Sequence, residues 1–175
     1  MKVRDQRGFT LIELLIVVAI ISILAVIAMP QLQRARMAGN ETSAIGSLRA
    51  ITGAEASYSV GAGGGGYAVS LAVLGQSCPG STQAFISPDL GVATPPAMKS
   101  GYSVNITSAG AGAGPTDCNG VATEVDYYGT AAPVTAGRSG NRGFSVSSAG
   151  TIFQDPSGAV PTLAATLAGT ATPAQ

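Results

Sequence analysis

Glu13 is the one charged side chain in a long apolar run that begins at Phe9. A carboxylate in a membrane-length apolar helix costs about 2.5–3.5 kcal/mol at the bilayer centre, so such a residue needs a partner. The nearest candidate is the amine that would form at Phe9 if the chain were cut after Gly8. The spacing therefore predicts a cleavage junction at Gly8–Phe9 and a charge pair that involves Glu13. The alternative is a plain membrane anchor with an isolated glutamate.

Few other residues offer catalytic or metal-binding chemistry. The chain has no histidine, which excludes histidine metal sites and Ser-His-Asp hydrolysis. Glu124 and Asp126 would project from one face of a predicted strand, as a carboxylate pair or, with Asp117, as a calcium site. A solvated sheet face explains them more simply, so we expect no enzyme, no metal site and no cofactor. Arg138 and Arg142 in GRSGNRG indicate a soluble turn or a site for phosphate or a partner carboxylate.

The apolar segment over residues 9–30 is long enough to be a transmembrane helix. At 1.5 Å per residue it spans about 30 Å, the thickness of a bilayer core. The leader over residues 1–8 has three basic side chains and one acidic one, which predicts that it stays in the cytoplasm. An ordinary secretory signal has a shorter apolar region that is removed. Cleavage before the apolar segment, which keeps that segment, fits this pattern better.

The stretch RGFTLIELLIVVAIISILAVIAMPQL resembles the amino-terminal signature of type IV pilins and of the related pseudopilins of type II secretion. The resemblance implies that a prepilin peptidase cuts after Gly8 and methylates the amine of Phe9. It also implies that Thr10, Glu13 and the helix-interrupting Pro30 serve assembly and subunit registry. In such a filament, Glu13 of an incoming subunit would be neutralised by the Phe9 amine of a neighbour.

The resemblance further implies a structural function. The expected protein is a type IV pilus subunit that is inserted in the inner membrane and then polymerised into an extracellular filament for adhesion, motility or DNA uptake. Its partners would be copies of itself, the prepilin peptidase, an inner-membrane assembly platform and an assembly ATPase, with no small-molecule substrate. The alternative is a type II secretion pseudopilin in a short periplasmic fibre. The chain has no aspartate-rich loop after Asp126, which favours the pilin.

The remaining sequence predicts an α+β fold. One helix is expected over residues 9–60, with an apolar stripe through Ile45, Leu48, Ile51 and Tyr58 that packs its second half on a sheet. GAGGGG at residues 61–66 would be a flexible turn. Short runs of alternating apolar and polar residues after Lys99 predict a small antiparallel sheet within a head over residues 61–155. Ala149-Gly150 would form a hairpin turn, and residues 156–175 a flexible tail. By resemblance to pilins, the sheet would have four strands.

Two further features remain open from the sequence alone. Gly39, Gly46 and Gly53 recur at seven-residue intervals, which indicates a helix face in close contact with the sheet or with a neighbouring helix, or has no consequence. Cys78 and Cys118 are the only cysteines. In an oxidising envelope they predict a structural disulfide, the alternatives being two free thiols or redox activity.

Overall fold

The computed structural model describes residues 8–174, which form two compact units, residues 8–36 and residues 37–174. Residues 1–7 of the predicted leader, with their basic side chains, lie outside the described residues, as does Gln175. Each unit contains part of one helix, α1 (Leu11–Gly61).

The amino-terminal unit consists of the first turns of α1 and the three residues before it. Its large apolar side chains are exposed within the chain, from Leu11 at 82% to Leu32 at 53%. Among the described residues, α1 is the one helix long and apolar enough to cross a membrane, with a mean hydropathy of 3.1 over an 18-residue window. The helix continues through Pro30, although proline has no N–H for the bond to the preceding turn. This apolar surface is suited to lipid or protein surroundings rather than to water.

Within residues 37–174, two short helices and eight strands follow α1. They are α2 (Leu71–Leu74), β1 (Ala97–Lys99), β2 (Tyr102–Ser108), β3 (Ala113–Thr116), β4 (Ala122–Glu124), β5 (Tyr127–Pro133), β6 (Gly143–Ser147), β7 (Ile152–Asp155), α3 (Leu163–Leu167) and β8 (Thr172–Pro173). The main sheet is antiparallel with strand order β1-β2-β5-β6-β7-β8, and β3 pairs separately with β4. The α+β prediction is therefore confirmed.

The expectation of four strands in the main sheet is wrong, because this sheet has six. The four central strands coincide with the alternating runs in the sequence. The two extra strands, β1 and β8, are edge strands of three and two residues. Strands this short contain too few side chains to show alternation. The predicted hairpin is confirmed, since β6 pairs with β7 and Gly150, at a φ of 75°, donates its N–H to the Ser147 carbonyl at 2.9 Å.

The second half of α1 packs one face against the main sheet. Leu48, Ile51 and Tyr58 of the predicted stripe are buried, whereas Ile45 is only partly buried. Ala44 and Ala54 complete the buried face at the three- and four-residue spacing of one helix side. The sheet contributes Tyr102, Val104, Ile106, Tyr127, Ala131, Phe144 and Val146 to the same core.

The three regularly spaced glycines of α1 lie on its exposed face. A Cβ added at Gly39, Gly46 or Gly53 would meet no atom within 4 Å. Contact with the sheet of the same chain is therefore not the reason for glycine at these positions. A role against a neighbouring helix stays a prediction.

The glycine-rich turn after α1 is closely packed. Gly64 and Gly65 have φ values of 57° and 102°, in the region where side chains are disfavoured. A Cβ at Gly66 would overlap the hydroxyl of Thr123 in β4. Tyr67 then exchanges both backbone hydrogen bonds with Glu124, at 2.8 and 3.0 Å. The close packing of this turn on β4 was not anticipated from the composition GAGGGG.

Residues 156–174, predicted as a flexible tail, contain α3 and β8. The hydroxyls of Thr166 in α3 and Ser145 in β6 lie 2.8 Å apart, and Tyr128 donates its hydroxyl to the Pro161 carbonyl. Strand β8 pairs with β7 in antiparallel register. Phe153 of β7 is only 5% exposed. The carboxyl-terminal segment thus adds the last strand to the sheet.

A partly buried ion pair joins the start of this unit's helix to the β5–β6 loop. The Glu41 carboxylate accepts hydrogen bonds from the Asn141 N–H and the Arg142 Nε, both at 2.8 Å. The Arg142 Nη2 lies 2.8 Å from the same carboxylate, and its Nη1 donates to Gln154 at 2.7 Å. Burial alone would raise the pKa of Glu41, but the Asn141 N–H and the Arg142 guanidinium outweigh burial and lower that pKa.

We predict that Arg142→Ala lowers the free energy of unfolding of the full-length protein by about 1.5–3 kcal/mol at pH 7, because the Glu41 carboxylate loses charged hydrogen bonds. Because the pKa of Glu41 is lower in the folded protein than the ordinary Glu pKa of 4.5, ionised Glu41 stabilises the fold at pH values above 4.5. This stabilisation is lost as the pH falls below 4.5 toward the lowered pKa. The difference between the two proteins should therefore shrink at about pH 3.5. The measurement is the free energy of unfolding by urea of both proteins in detergent, at pH 7 and at about pH 3.5.

Arg138→Ala is the matched control, since Arg138 lies in the same loop and is exposed. Its effect on the free energy of unfolding should stay within about 0.5 kcal/mol. An equal loss of stability for Arg142→Ala at both pH values would show that packing, rather than charge, is what Arg142 contributes.

Candidate functional site

The predicted cleavage and assembly residues lie at the start of α1. Gly8 and Phe9 precede the helix in exposed chain, with the Phe9 side chain 85% exposed. A Cβ at Gly8 would meet nothing within 4 Å. The predicted junction is thus sterically open in this chain.

Thr10 and Glu13 form a reciprocal cap on the first turn of α1. The Thr10 N–H and hydroxyl both donate to Glu13 Oε2, at 2.9 and 2.6 Å. The Glu13 N–H in turn donates to the Thr10 hydroxyl at 3.3 Å. This is the capping box, a Ser or Thr followed three residues later by Glu or Gln. The signal was readable as Thr-Leu-Ile-Glu at residues 10–13 but was not recognised from the sequence.

The apolar surface after this cap has a single charge. Between Phe9 and Gln33, Glu13 is the one ionisable side chain, and the next charges are Arg34 and Arg36. Ser22, the polar side chain in the middle of this apolar run, has a hydrogen-bond partner, because its hydroxyl donates to the Val18 carbonyl at 2.7 Å. Such a surface can bind lipid or other apolar helices, and its one specific polar group is the Glu13 carboxylate.

In the second unit, Cys78 and Cys118 form a disulfide that closes an interval of 40 residues. Next to it, the Tyr58 hydroxyl of α1 donates to Asp117 Oδ2 at 2.8 Å. Burial and the Asp117 carboxylate raise the pKa of Tyr58, so its hydroxyl remains a donor. The β3–β4 hairpin is thereby tied both to the segment between α2 and β1, which contains Cys78, and to the helix α1. In the loop-entropy model, the disulfide contributes about 4 kcal/mol.

The three calcium candidates lie in different local environments. Asp117 uses Oδ1 for the N–H groups of Asn119 and Val121, at 2.8 and 2.7 Å, and Oδ2 for Tyr58. Asp126 Oδ1 accepts the N–H of Tyr127 at 2.7 Å and that of Ser148 at 3.0 Å. Glu124 pairs with Tyr67 through its backbone. Over residues 8–174, no group of three or more His, Cys, Asp or Glu side chains is arranged to hold a metal.

Comparison with known proteins identifies the amino-terminal segment. A family model described as the prokaryotic N-terminal methylation motif matches residues 3–29. The type IV wide pilus major component PilA4 of Thermus thermophilus is 59% identical over 39 residues, which are 22% of this chain and 30% of that protein. A fimbrial protein of Pseudomonas aeruginosa is 52% identical over 48 residues, 27% of this chain and 31% of that protein.

These matches cover less than a third of either relative's length. No solved structure matches the chain significantly. The residues matched by the family model include the junction at Gly8, the capping pair Thr10 and Glu13, and the apolar segment as far as Met29. The amino-terminal segment therefore carries the prokaryotic N-terminal methylation motif and is similar to the corresponding segments of a type IV pilus component and a fimbrial protein.

Proposed function

We propose that this chain is a structural subunit of a type IV pilus. It is inserted in the inner membrane, cleaved after Gly8 and N-methylated at Phe9. It then polymerises through the apolar helix into a filament at the cell surface. The prepilin peptidase, an inner-membrane assembly platform and an assembly ATPase act on it, and it needs no cofactor or small-molecule substrate.

The observation that carries this proposal is the exposed apolar surface of residues 11–32. Side chains on every face of the helix are exposed, including Ile12, Leu15 and Val26 at 65%, 61% and 72%. A helix that is apolar all round is stable only when it is surrounded by lipid or protein. A subunit that moves from a bilayer into the core of a filament keeps this surface covered throughout.

Glu13 supplies the specific contact in that core. Cleavage after Gly8 creates an amine at Phe9, and a carboxylate in a dry environment requires a cationic partner. We propose that Glu13 of one subunit binds the Phe9 amine of its neighbour. Pro30 and Ser22 delimit the part of the helix that stretches during assembly, since Pro30 lacks a backbone donor.

The named relatives favour a pilus over a secretion pseudopilus. One is called a pilus major component and the other a fimbrial protein.

The test is to shear the surface of cells that produce the chain at native level. We expect long filaments by electron microscopy, composed mainly of protein that begins at N-methylated Phe9 by mass spectrometry. Methylated protein confined to the membrane, with no filaments containing it, would instead identify a pseudopilin. An amino terminus other than Phe9 would refute the cleavage assignment.

Glu13→Gln separates the two roles that Glu13 can have. Glutamine is accepted in a capping box, so the helix cap should persist. The charge pair with the Phe9 amine is lost, and we expect filament yield to fall about ten- to a hundredfold, as for removal of a charged hydrogen bond. Glu13→Ala should impair assembly as well. Filament protein released by shearing is the measurement, with mass spectrometry to confirm that processing is intact.

Thr10→Ala is the comparison variant, since it removes the Thr10 hydroxyl from the cap but keeps the Glu13 carboxylate. Filament yield should fall less in this variant than in Glu13→Gln. Normal filaments with Glu13→Gln and few with Thr10→Ala would show that Glu13 acts as a cap rather than as a charged partner. A bulky residue at Gly8 should stop the pathway earlier and leave the uncut precursor in the membrane.

A further inference from the structure

Glu55 is a carboxylic acid in the core of the second unit. It lies on the buried face of α1 and is 0% exposed. Its Oε2 accepts the N–H of Ala68 at 2.8 Å. Its Oε1 is buried and has no hydrogen-bond partner among residues 8–174. A side chain placed in this way is well accommodated only as the neutral acid, because an ionised carboxylate would lack compensation.

Among residues 8–174, no cationic side chain acts on the Glu55 carboxyl group. Tyr58 of α1 directs its hydroxyl to Asp117 of the β3–β4 hairpin, and Tyr127 of β5 directs its hydroxyl to Thr52. The titratable groups that interact with Glu55 are Tyr58 and Tyr127; beyond them lie the carboxylates of Asp117 and Asp126 and the hydroxyl of Tyr67. Burial raises the pKa of Glu55 to about 8. The hydrogen bond from the Ala68 N–H lowers this pKa, but by less than burial raises it.

The segment that holds Glu55 in place is the glycine-rich turn and the two residues after it. Gly66 packs on Thr123, Tyr67 pairs with Glu124, and Ala68 donates to Glu55. Five glycines lie between residues 61 and 66. Glycine has the largest conformational freedom to regain on opening, so opening of this turn gains more backbone entropy than opening of a strand of the same length.

We propose that Glu55 is a proton-controlled latch: as the neutral acid it stays in the core and holds Ala68, and when it loses its proton the carboxylate moves to water and the 61–68 segment opens. The bond that changes is the O–H of the acid, and the proton goes to solvent. The closed form binds a proton that the open form releases. The opening constant of the 61–68 segment therefore increases with pH from 4.5, the ordinary pKa of Glu, to about 8. Above about pH 8 it becomes constant.

Hydrogen–deuterium exchange of the full chain in detergent micelles tests the latch. The opening constant of peptides covering residues 61–68, corrected for intrinsic exchange, should rise about tenfold per pH unit from about pH 5 to about pH 8. Peptides from β6 should not show this slope. A flat profile at residues 61–68 would overturn the proposal without any variant. The same slope throughout the sheet would also overturn it, because opening would then be global.

Two variants complete the test. Glu55→Gln keeps the shape of the neutral acid and cannot ionise, so its opening constant at residues 61–68 should be independent of pH. Glu124→Gln makes the same chemical change in β4, whose backbone pairs with Tyr67, and should keep the wild-type slope. A wild-type slope in Glu55→Gln would assign the pH dependence to another group and refute the latch.

Discussion

One helix has to satisfy two different surroundings, and the rest of the structure depends on how its sequence changes near Met37. Up to Arg36 its side chains are exposed on every side, and apart from Glu13, Ser22 and Gln31 they are apolar as far as Leu32. From Met37 onward, one side is buried against the main sheet and the other has glycine, alanine and polar residues. The first part suits an apolar environment all round, the second a boundary between core and water. One helix is thus suited to contact with lipid or protein in the first unit and packs on the hydrophobic core of a water-exposed domain in the second.

The second unit contains three buried carboxylates, each accommodated differently. Glu41 has an arginine and backbone N–H groups, so it remains ionised. Asp117 receives a tyrosine hydroxyl and two N–H groups within its own hairpin. Glu55 has one N–H only. Neutrality of the acid is the remaining way to bury Glu55, since burial raises the pKa of its carboxyl group.

Local patterns predicted the features that depend on local physics. The apolar stripe of α1, the hairpin at Gly150 and the central strands follow from helix and strand periodicity and from turn chemistry. The capping box at Thr10 and Glu13 was equally local and could have been found. The pairing of Glu41 with Arg142 joins residues about a hundred positions apart, and the packing of Gly66 on Thr123 joins distant elements. No spacing pattern in the sequence predicts these contacts, because they form only when the distant elements pack together in the folded domain.

The edges of the main sheet determine how copies of this domain can meet. One edge, β1, is three residues long and ends at Lys99, which is paired with Asp89. The other, β8, has two residues, one of them Pro173, which has no N–H to donate. Short strands, a charge and a proline are the features that prevent sheets from adding to one another. Folded domains crowded side by side are therefore protected against cross-β aggregation.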